Sequence, residues 1–296
     1  MGKFSDALEK AGSVAPKSAK PKAKVLTPPK LQEEPSKSKE MIDTLRLEPE
    51  VCNYLQFNEL LVGCHHSGNR ESDFAAEQYK MLRSQILFPS GKPTPKTIMV
   101  TSAIPGEGKS TVSSNLAIAI ALGKDEHVLL IECDLRRPSI AEIFGFRNRS
   151  GLTEYLMQEQ EVDSLLHKTQ IDGLTLMVGG RRPNNPSELL SSRLMMELLE
   201  ELKGRYKDRY IVLDAPPAQV AAETGVLSKV VDGVIFVVRY GKSSRKVIRE
   251  TLEKIEQDKL FGVVFNGYEG RYTSEYYYKY YGHSKESFWD RFRRRK

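Results

Sequence analysis

The sequence predicts a doubly wound α/β domain with a mainly parallel sheet, built around a phosphate-binding P-loop and flanked by two segments outside the core. Three observations predict it. Short apolar, β-branched runs alternate with helical patterns between residues 71 and 267, and buried strands alternating with helices imply a parallel sheet covered on both faces. The stretch Ala103-Ile-Pro-Gly-Glu-Gly-Lys-Ser110 follows one such run and opens a helical pattern, the context a P-loop requires. Two other runs end in acidic residues, Glu132 with Asp134 and Asp214, at the strand ends where doubly wound sheets bind ligands.

In chain order, residues 1–70 read as a disordered leader and linker. Gly2 to Ala11 is compatible with a short helix, and residues 51–70 are ambiguous. Lys17 to Lys39 is rich in Lys, Pro and Ser and buries too little apolar surface to offset ordering entropy. Ser72 or Asp73 is placed to cap a helix through Phe74, Met81, Leu82 and Ile86, stopped by Pro89. Thr97–Thr101 reads as a strand, Lys109–Leu122 as a helix, and Val128–Cys133 and Leu174–Val178 as strands. Ser187–Tyr206 reads as one long amphipathic helix. Tyr210–Leu213, Val234–Val238 and Phe261–Phe265 complete the strands. No apolar strand follows Gly267, so residues 268–296 form a flexible tail outside the core.

Composition narrows the function. At 296 residues the chain holds one large α/β domain plus flanking segments. Apolar stretches such as Leu116–Leu122 and Val234–Val238 are far shorter than a membrane span, and no secretory signal pattern opens the chain. The three cysteines, Cys52, Cys64 and Cys133, lack metal spacing and fit a reducing cytoplasm. Cys64-His65-His66 has no further ligands clustered near it in sequence and is not read as a metal site. Net charge is +6, and residues 271–296 account for +5 of it, eight basic residues against three acidic. A basic end implies an acidic partner: lipid, nucleic acid or protein.

Gly106 and Gly108 let the P-loop backbone fold into an N–H cradle for phosphate, reinforced by the helix dipole. Residues Gly106, Glu107, Gly108, Lys109, Ser110 and Thr111 are the expected nucleotide-binding set. Lys109 reaches the outer phosphates and Ser110 a Mg²⁺ ion; Ala103 replaces the first glycine of the strict pattern. Carboxylates two apart on a strand share a face, so Glu132 and Asp134 are expected at one site, one on Mg²⁺ and one accepting a hydroxyl proton. The plainer alternative is that Arg136 and Arg137 satisfy them. Tyr210-Ile-Val-Leu-Asp214 has the form of a Walker B strand, with Asp214 a further metal-shell ligand. Six of the ten residues 272–281 are tyrosine: Tyr272, Tyr276, Tyr277, Tyr278, Tyr280 and Tyr281. Such density is poor core material, since each buried hydroxyl needs a partner. A base-stacking segment is the alternative to a substrate segment.

These residues resemble the bacterial tyrosine kinases of the capsular and exopolysaccharide autokinase family. The resemblance is carried by Ser102-Ala-Ile-Pro-Gly-Glu-Gly-Lys-Ser-Thr111, Leu130-Ile-Glu-Cys-Asp-Leu-Arg-Arg-Pro-Ser139, Asn185-Pro-Ser-Glu-Leu-Leu190, Val212-Leu-Asp-Ala-Pro-Pro217 and the tyrosine cluster. It implies a P-loop NTPase fold using ATP and Mg²⁺, with Lys109, Glu132, Asp134 and Asp214 catalytic and Ser110, Asp134 and Asp214 on the metal. It implies autophosphorylation of the six tail tyrosines and control of polysaccharide chain length and export. Its implied partners are a separate transmembrane adaptor (a polysaccharide co-polymerase) and a cognate phosphotyrosine phosphatase, with no nucleic acid, at the inner face of the cell membrane. The family's second motif usually begins with Asp, where this chain has Glu132. Its ring-forming Glu-x-x-Arg-x-x-Arg motif appears as Glu77, Lys80 and Arg83, which helical spacing places on one flank; a solvated charged face is the alternative. Lys80 lacks an arginine's fork. Two other readings stay open: a positioning ATPase like the chromosome-partitioning and division-site proteins, and a weakly active structural ring subunit.

Overall fold

The computed structural model describes residues 70–146, 149–205 and 209–268. The leader 1–69, which holds Cys52, Cys64, His65 and His66, lies outside them. So do residues 269–296, with all six tyrosines of the 272–281 cluster and the basic end.

Helix α1 (Arg70–Leu87) leads into β1 (Thr97–Ser102), the P-loop and α2 (Lys109–Ala121). Strand β2 (His127–Glu132) is followed by two short helices, α3 (Ile140–Ile143) and α4 (Leu152–Leu156), a 3-10 turn at Val162–Leu165, and strands β3 (His167–Lys168) and β4 (Leu174–Met177). Then come α5 (Pro186–Leu190), α6 (Arg193–Arg205), β5 (Arg209–Asp214), α7 (Ala222–Val230), β6 (Gly233–Arg239), α8 (Arg245–Leu252) and β7 (Leu260–Asn266).

Among the described residues the strands form one sheet in the order β3-β4-β2-β5-β1-β6-β7. Every pairing is parallel except that of the two-residue edge strand β3 with β4. β2 and β5 run in register, Glu132 opposite Asp214, and Val100 of β1 lies on the other side of Asp214. The three strand ends that carry chemistry are therefore adjacent in the middle of the sheet.

Two apolar layers cover the faces. One packs α2 and the end of α1 against Ile98, Val100, Val128, Leu130 and Val212; the other packs α6 and α7 against Met99, Leu129, Ile131, Ile211 and Leu213. Alternate residues of each central strand thus face opposite layers. This is why those strands read as unbroken apolar runs. Nearly all of α2 is buried, because α1 lies across its outer side; Arg83 of α1 donates from Nη1 to the Ala119 carbonyl of α2 at 3.0 Å.

Two expectations are corrected. The first helix already runs at Arg70, so Ser72 and Asp73 lie within it rather than at its start. The single helix over 187–206 is two. Ser191 ends α5, and the Ser192 hydroxyl accepts the Met195 N–H at 3.2 Å. A serine side chain competing for backbone donors in this way restarts a helix.

Candidate active site

The P-loop connects buried β1 to α2. Gly106 and Gly108 both take positive φ, 77° and 88°, the left-handed region where a Cβ is penalised. A Cβ at Gly106 would strike the Lys242 ammonium, and one at Gly108 the Asn266 amide. The positive φ favours glycine at both positions, and at Gly108 the Asn266 side chain also leaves no room for a Cβ.

Inside the loop, Lys109 is 9% exposed and its Nζ lies 2.7 Å from Asp134 Oδ2. It is also 3.4 Å from the Ser110 hydroxyl. Burial pulls the Lys109 pKa down, but Asp214, Asp134 and Glu132 outweigh it and hold the ammonium above its ordinary value. Asp134 Oδ1 accepts the Arg137 backbone N–H at 3.1 Å. Asp214 is fully buried and neither of its oxygens completes a hydrogen bond. Burial pushes its pKa up against the pull of Lys109, with the nearby Ser110 and Ser113 hydroxyls also lowering it.

A buried carboxylate short of partners is costly, and a divalent cation would relieve that cost. Asp214, Asp134 and the Ser110 hydroxyl are hard oxygen donors suited to such an ion. No group of three His, Cys, Asp or Glu among the described residues forms a metal site alone. A cation here would complete its shell with phosphate and water oxygens, as Mg²⁺ commonly does.

Glu132 arrives at the same strand end but faces elsewhere. It is fully buried. Its Oε1 accepts the N–H groups of Ser139 and Ile140, the latter at 2.7 Å, and its Oε2 accepts that of Gly179 at 2.7 Å. Burial pushes its pKa up to about 7 against those three bonds. Asp134 and Asp214 therefore converge on Lys109, while both Glu132 oxygens are engaged by backbone. Cys133, between the two acids, is sealed at 0% exposure, and burial followed by the three carboxylates holds its thiol well above the usual range. The alternative in which Arg136 and Arg137 neutralise the motif's acids does not match the contacts. Arg136 instead pairs with buried Glu223 at 3.1 Å and bonds Ser187 at 2.7 Å, and Arg137 contributes a backbone N–H.

On the outer side of the P-loop, Glu107 of the expected set meets residues that local motifs did not reveal: Arg239, Lys242, Ser243 and Asn266. The Glu107 carboxylate is fully buried and accepts from the Ile104 N–H (3.0 Å), the Ser243 hydroxyl (2.8 Å) and the Arg239 N–H (3.4 Å). Its side chain thus braces the loop, leaving the backbone for ligand contact. The Asn266 amide donates to the Glu107 carbonyl at 2.9 Å, and Lys242 to the Gly106 carbonyl at 2.9 Å. The position of Asn266 at the end of an apolar strand was the one sequence signal available, since it shares an edge with Asp214 once the sheet is parallel.

Of the expected ring residues, Glu77 and Lys80 form an exposed intrahelical pair at 3.1 Å. Arg83 donates to the Ala119 carbonyl of α2 in its own chain.

The geometry is that of a nucleotide-binding sheet edge, and comparison with known proteins specifies it. A family model described as ParA, NUBPL iron-transfer P-loop NTPase, matches residues 94–269. The tyrosine-protein kinase YwqD of Bacillus subtilis (strain 168) is 36% identical over 215 residues, which cover 72% of this chain and 88% of YwqD. This chain belongs to the bacterial tyrosine kinases. The tyrosine-protein kinase etk of Escherichia coli (strain K12) is 32% identical across 70% of this kinase, but the match spans only 28% of etk. Among solved structures, the chimerical protein CapA2B2 superposes with a TM-score of 0.63 at 30% identity, covering 71% of this kinase and 90% of that chain. The fold implies a bound nucleotide with a divalent cation. No helix among the described residues is long and apolar enough to cross a membrane.

Proposed function

We propose that this kinase transfers the γ-phosphoryl group of ATP to the tyrosines of its own C-terminal segment, Tyr272, Tyr276, Tyr277, Tyr278, Tyr280 and Tyr281. The supporting observation is the convergence of Lys109, Asp134 and partner-poor Asp214 at the mouth of a P-loop, in a chain that carries a dense tyrosine cluster. The N–H groups of Gly106 to Thr111 cradle the phosphates, and Lys109 neutralises charge as the bond to the β-phosphate oxygen breaks. Ser110, Asp134 and Asp214 would hold Mg²⁺, which supplies charge stabilisation to the phosphates when bound. As the tyrosine oxygen–phosphorus bond forms, the phenolic proton passes to a carboxylate at this edge. Residues 1–70, 71–267 and 268–296 serve as leader, catalytic domain and substrate tail.

Transfer in trans within a ring suits a tyrosine cluster that follows the last strand of the catalytic domain in sequence. Each phosphotyrosine adds about −1.5 to −2 of charge, so six would reverse the tail's +5. In this reading that reversal ejects the tail and opens the ring. A separate membrane adaptor, a cognate phosphatase, a location at the inner membrane face and control of exopolysaccharide or capsule chain length complete the proposal.

The match to a ParA-type model favours one competing reading, a positioning ATPase. Intact-mass measurement with Mg-ATP separates the two. A ladder of phosphate additions mapped to residues 272–281, absent in Lys109→Ala, is the expected result. Steady ATP hydrolysis without any phosphotyrosine, even with an adaptor's cytoplasmic segment added, would favour the positioning reading.

A further inference from the structure

The position at which the family resemblance implies an aspartate carries Glu132, and the contacts of that residue point to a different job. The segment from Cys133 to Ile140 leaves β2, carries Asp134 to Lys109 and Arg136 to Glu223 and Ser187, then enters α3. It is closed by Glu132 itself. One carboxylate oxygen receives the N–H groups of Ser139 and Ile140 at the start of α3. The other receives that of Gly179, just beyond β4. Three backbone donors thus engage both oxygens of a wholly buried carboxylate.

Gly179 fits the same arrangement. A Cβ there would meet Glu132 Oε2 at 3.1 Å and the Pro138 side chain at 3.1 Å, so the backbone approaches the carboxylate as closely as a glycine comfortably permits. Within the closed segment Asp134 is fixed twice, by the Arg137 N–H and by Lys109. The Lys109–Asp134 register thus depends on where the far end of the segment is held.

We infer that Glu132 is a positioning residue that clamps the segment 133–140 to the end of β4 and thereby sets Asp134 against Lys109, and that it does not receive the substrate's proton. This inference rests on the kinase reading above only for the proton. The clamp is independent of it.

The test compares Glu132→Gln and Glu132→Ala in the full chain with wild type, using three readouts. These are the rate of phosphotyrosine formation, the affinity for Mg-ATP, and amide hydrogen exchange at Ser139, Ile140 and Gly179. Gln keeps an acceptor oxygen for one side of the clamp, turns its NH₂ donor towards an N–H on the other, and cannot take up a proton. The expected result is that Gln retains the phosphorylation rate within about tenfold, whereas general-base removal costs about 10²–10⁴-fold. Ala is expected to speed exchange at all three amides and to weaken Mg-ATP binding. A Gln variant that loses a hundredfold or more in rate, with exchange and Mg-ATP affinity unchanged, would overturn the proposal. Unchanged exchange in the Ala variant would overturn it as well. If wild type forms no phosphotyrosine, the kinase reading fails, while the exchange and affinity arms still decide the clamp.

Discussion

The two sides of the P-loop are built on opposite terms. The inner wall gathers two carboxylates against one ammonium, and one of them, Asp214, is buried without a completed hydrogen bond. The outer wall also buries a carboxylate, Glu107, but supplies it with a hydroxyl and two backbone N–H groups and ties the loop's carbonyls to Lys242 and Asn266. The inner wall is electrostatically incomplete and accommodates an incoming cation and phosphate. The outer wall is complete by itself and holds shape. Buried acids in a polypeptide therefore do not share one meaning: what decides is whether protein donors already satisfy them.

The sharpest way to break this contrast is Asp214→Asn. Loss of the charged metal ligand is expected to lower phosphotyrosine formation by about a hundredfold or more. The ligand-free protein is nonetheless expected to melt at a higher temperature, because the desolvation cost of a buried carboxylate without hydrogen bonds outweighs its attraction to Lys109. Phosphotyrosine formation with Mg-ATP checks the first half, and differential scanning with and without Mg-ADP the second. The wild type is expected to gain more in Tm from Mg-ADP than the variant does. A variant that melts lower when ligand-free would show that Asp214 is already satisfied within the protein.

Glu107→Ala is expected to act in the opposite sense. It strands the Ile104 N–H and the Ser243 hydroxyl, at a cost of about 1–3 kcal/mol. In a domain of this size that lowers Tm by several degrees, with a weaker affinity for nucleotide measurable by titration. The smallest effect is expected of Lys242→Ala. The ammonium is exposed and rests on a carbonyl, so stability should stay within about 0.5 kcal/mol. A large loss there would mean that the outer wall is held by charge rather than by buried hydrogen bonds.

What the sequence made legible follows the range of the interaction. The P-loop, the central strands and the acids at their ends are local patterns, and all lie at one sheet edge. The break at Ser191–Ser192 was hidden because amphipathic spacing continues across it, and only the capping hydroxyl reveals it. Short helices such as α3 and α4, of 4 and 5 residues, complete too few turns to leave a periodicity. Glu132 illustrates the harder limit. Alternation along β2 put Glu132 and Asp134 at one strand end, but the partners of Glu132 are backbone N–H groups at Ser139, Ile140 and Gly179, and every residue type except proline would present the same donors. The contact of Arg83 was hidden for a related reason: its acceptor is a carbonyl on α2, which spacing along α1 cannot show.

Cys133 turns this architecture into a timer. It sits between Glu132, which ends β2, and Asp134, with its backbone N–H on the Asp214 carbonyl at 2.9 Å. Burial and negative surroundings keep it protonated. A thiol in that state is inert towards alkylating reagents and oxidants until the strands part. The rate at which Cys133 becomes modified therefore counts the openings of the β2–β5 seam, and any ligand that bridges Asp134 and Asp214 should slow that count.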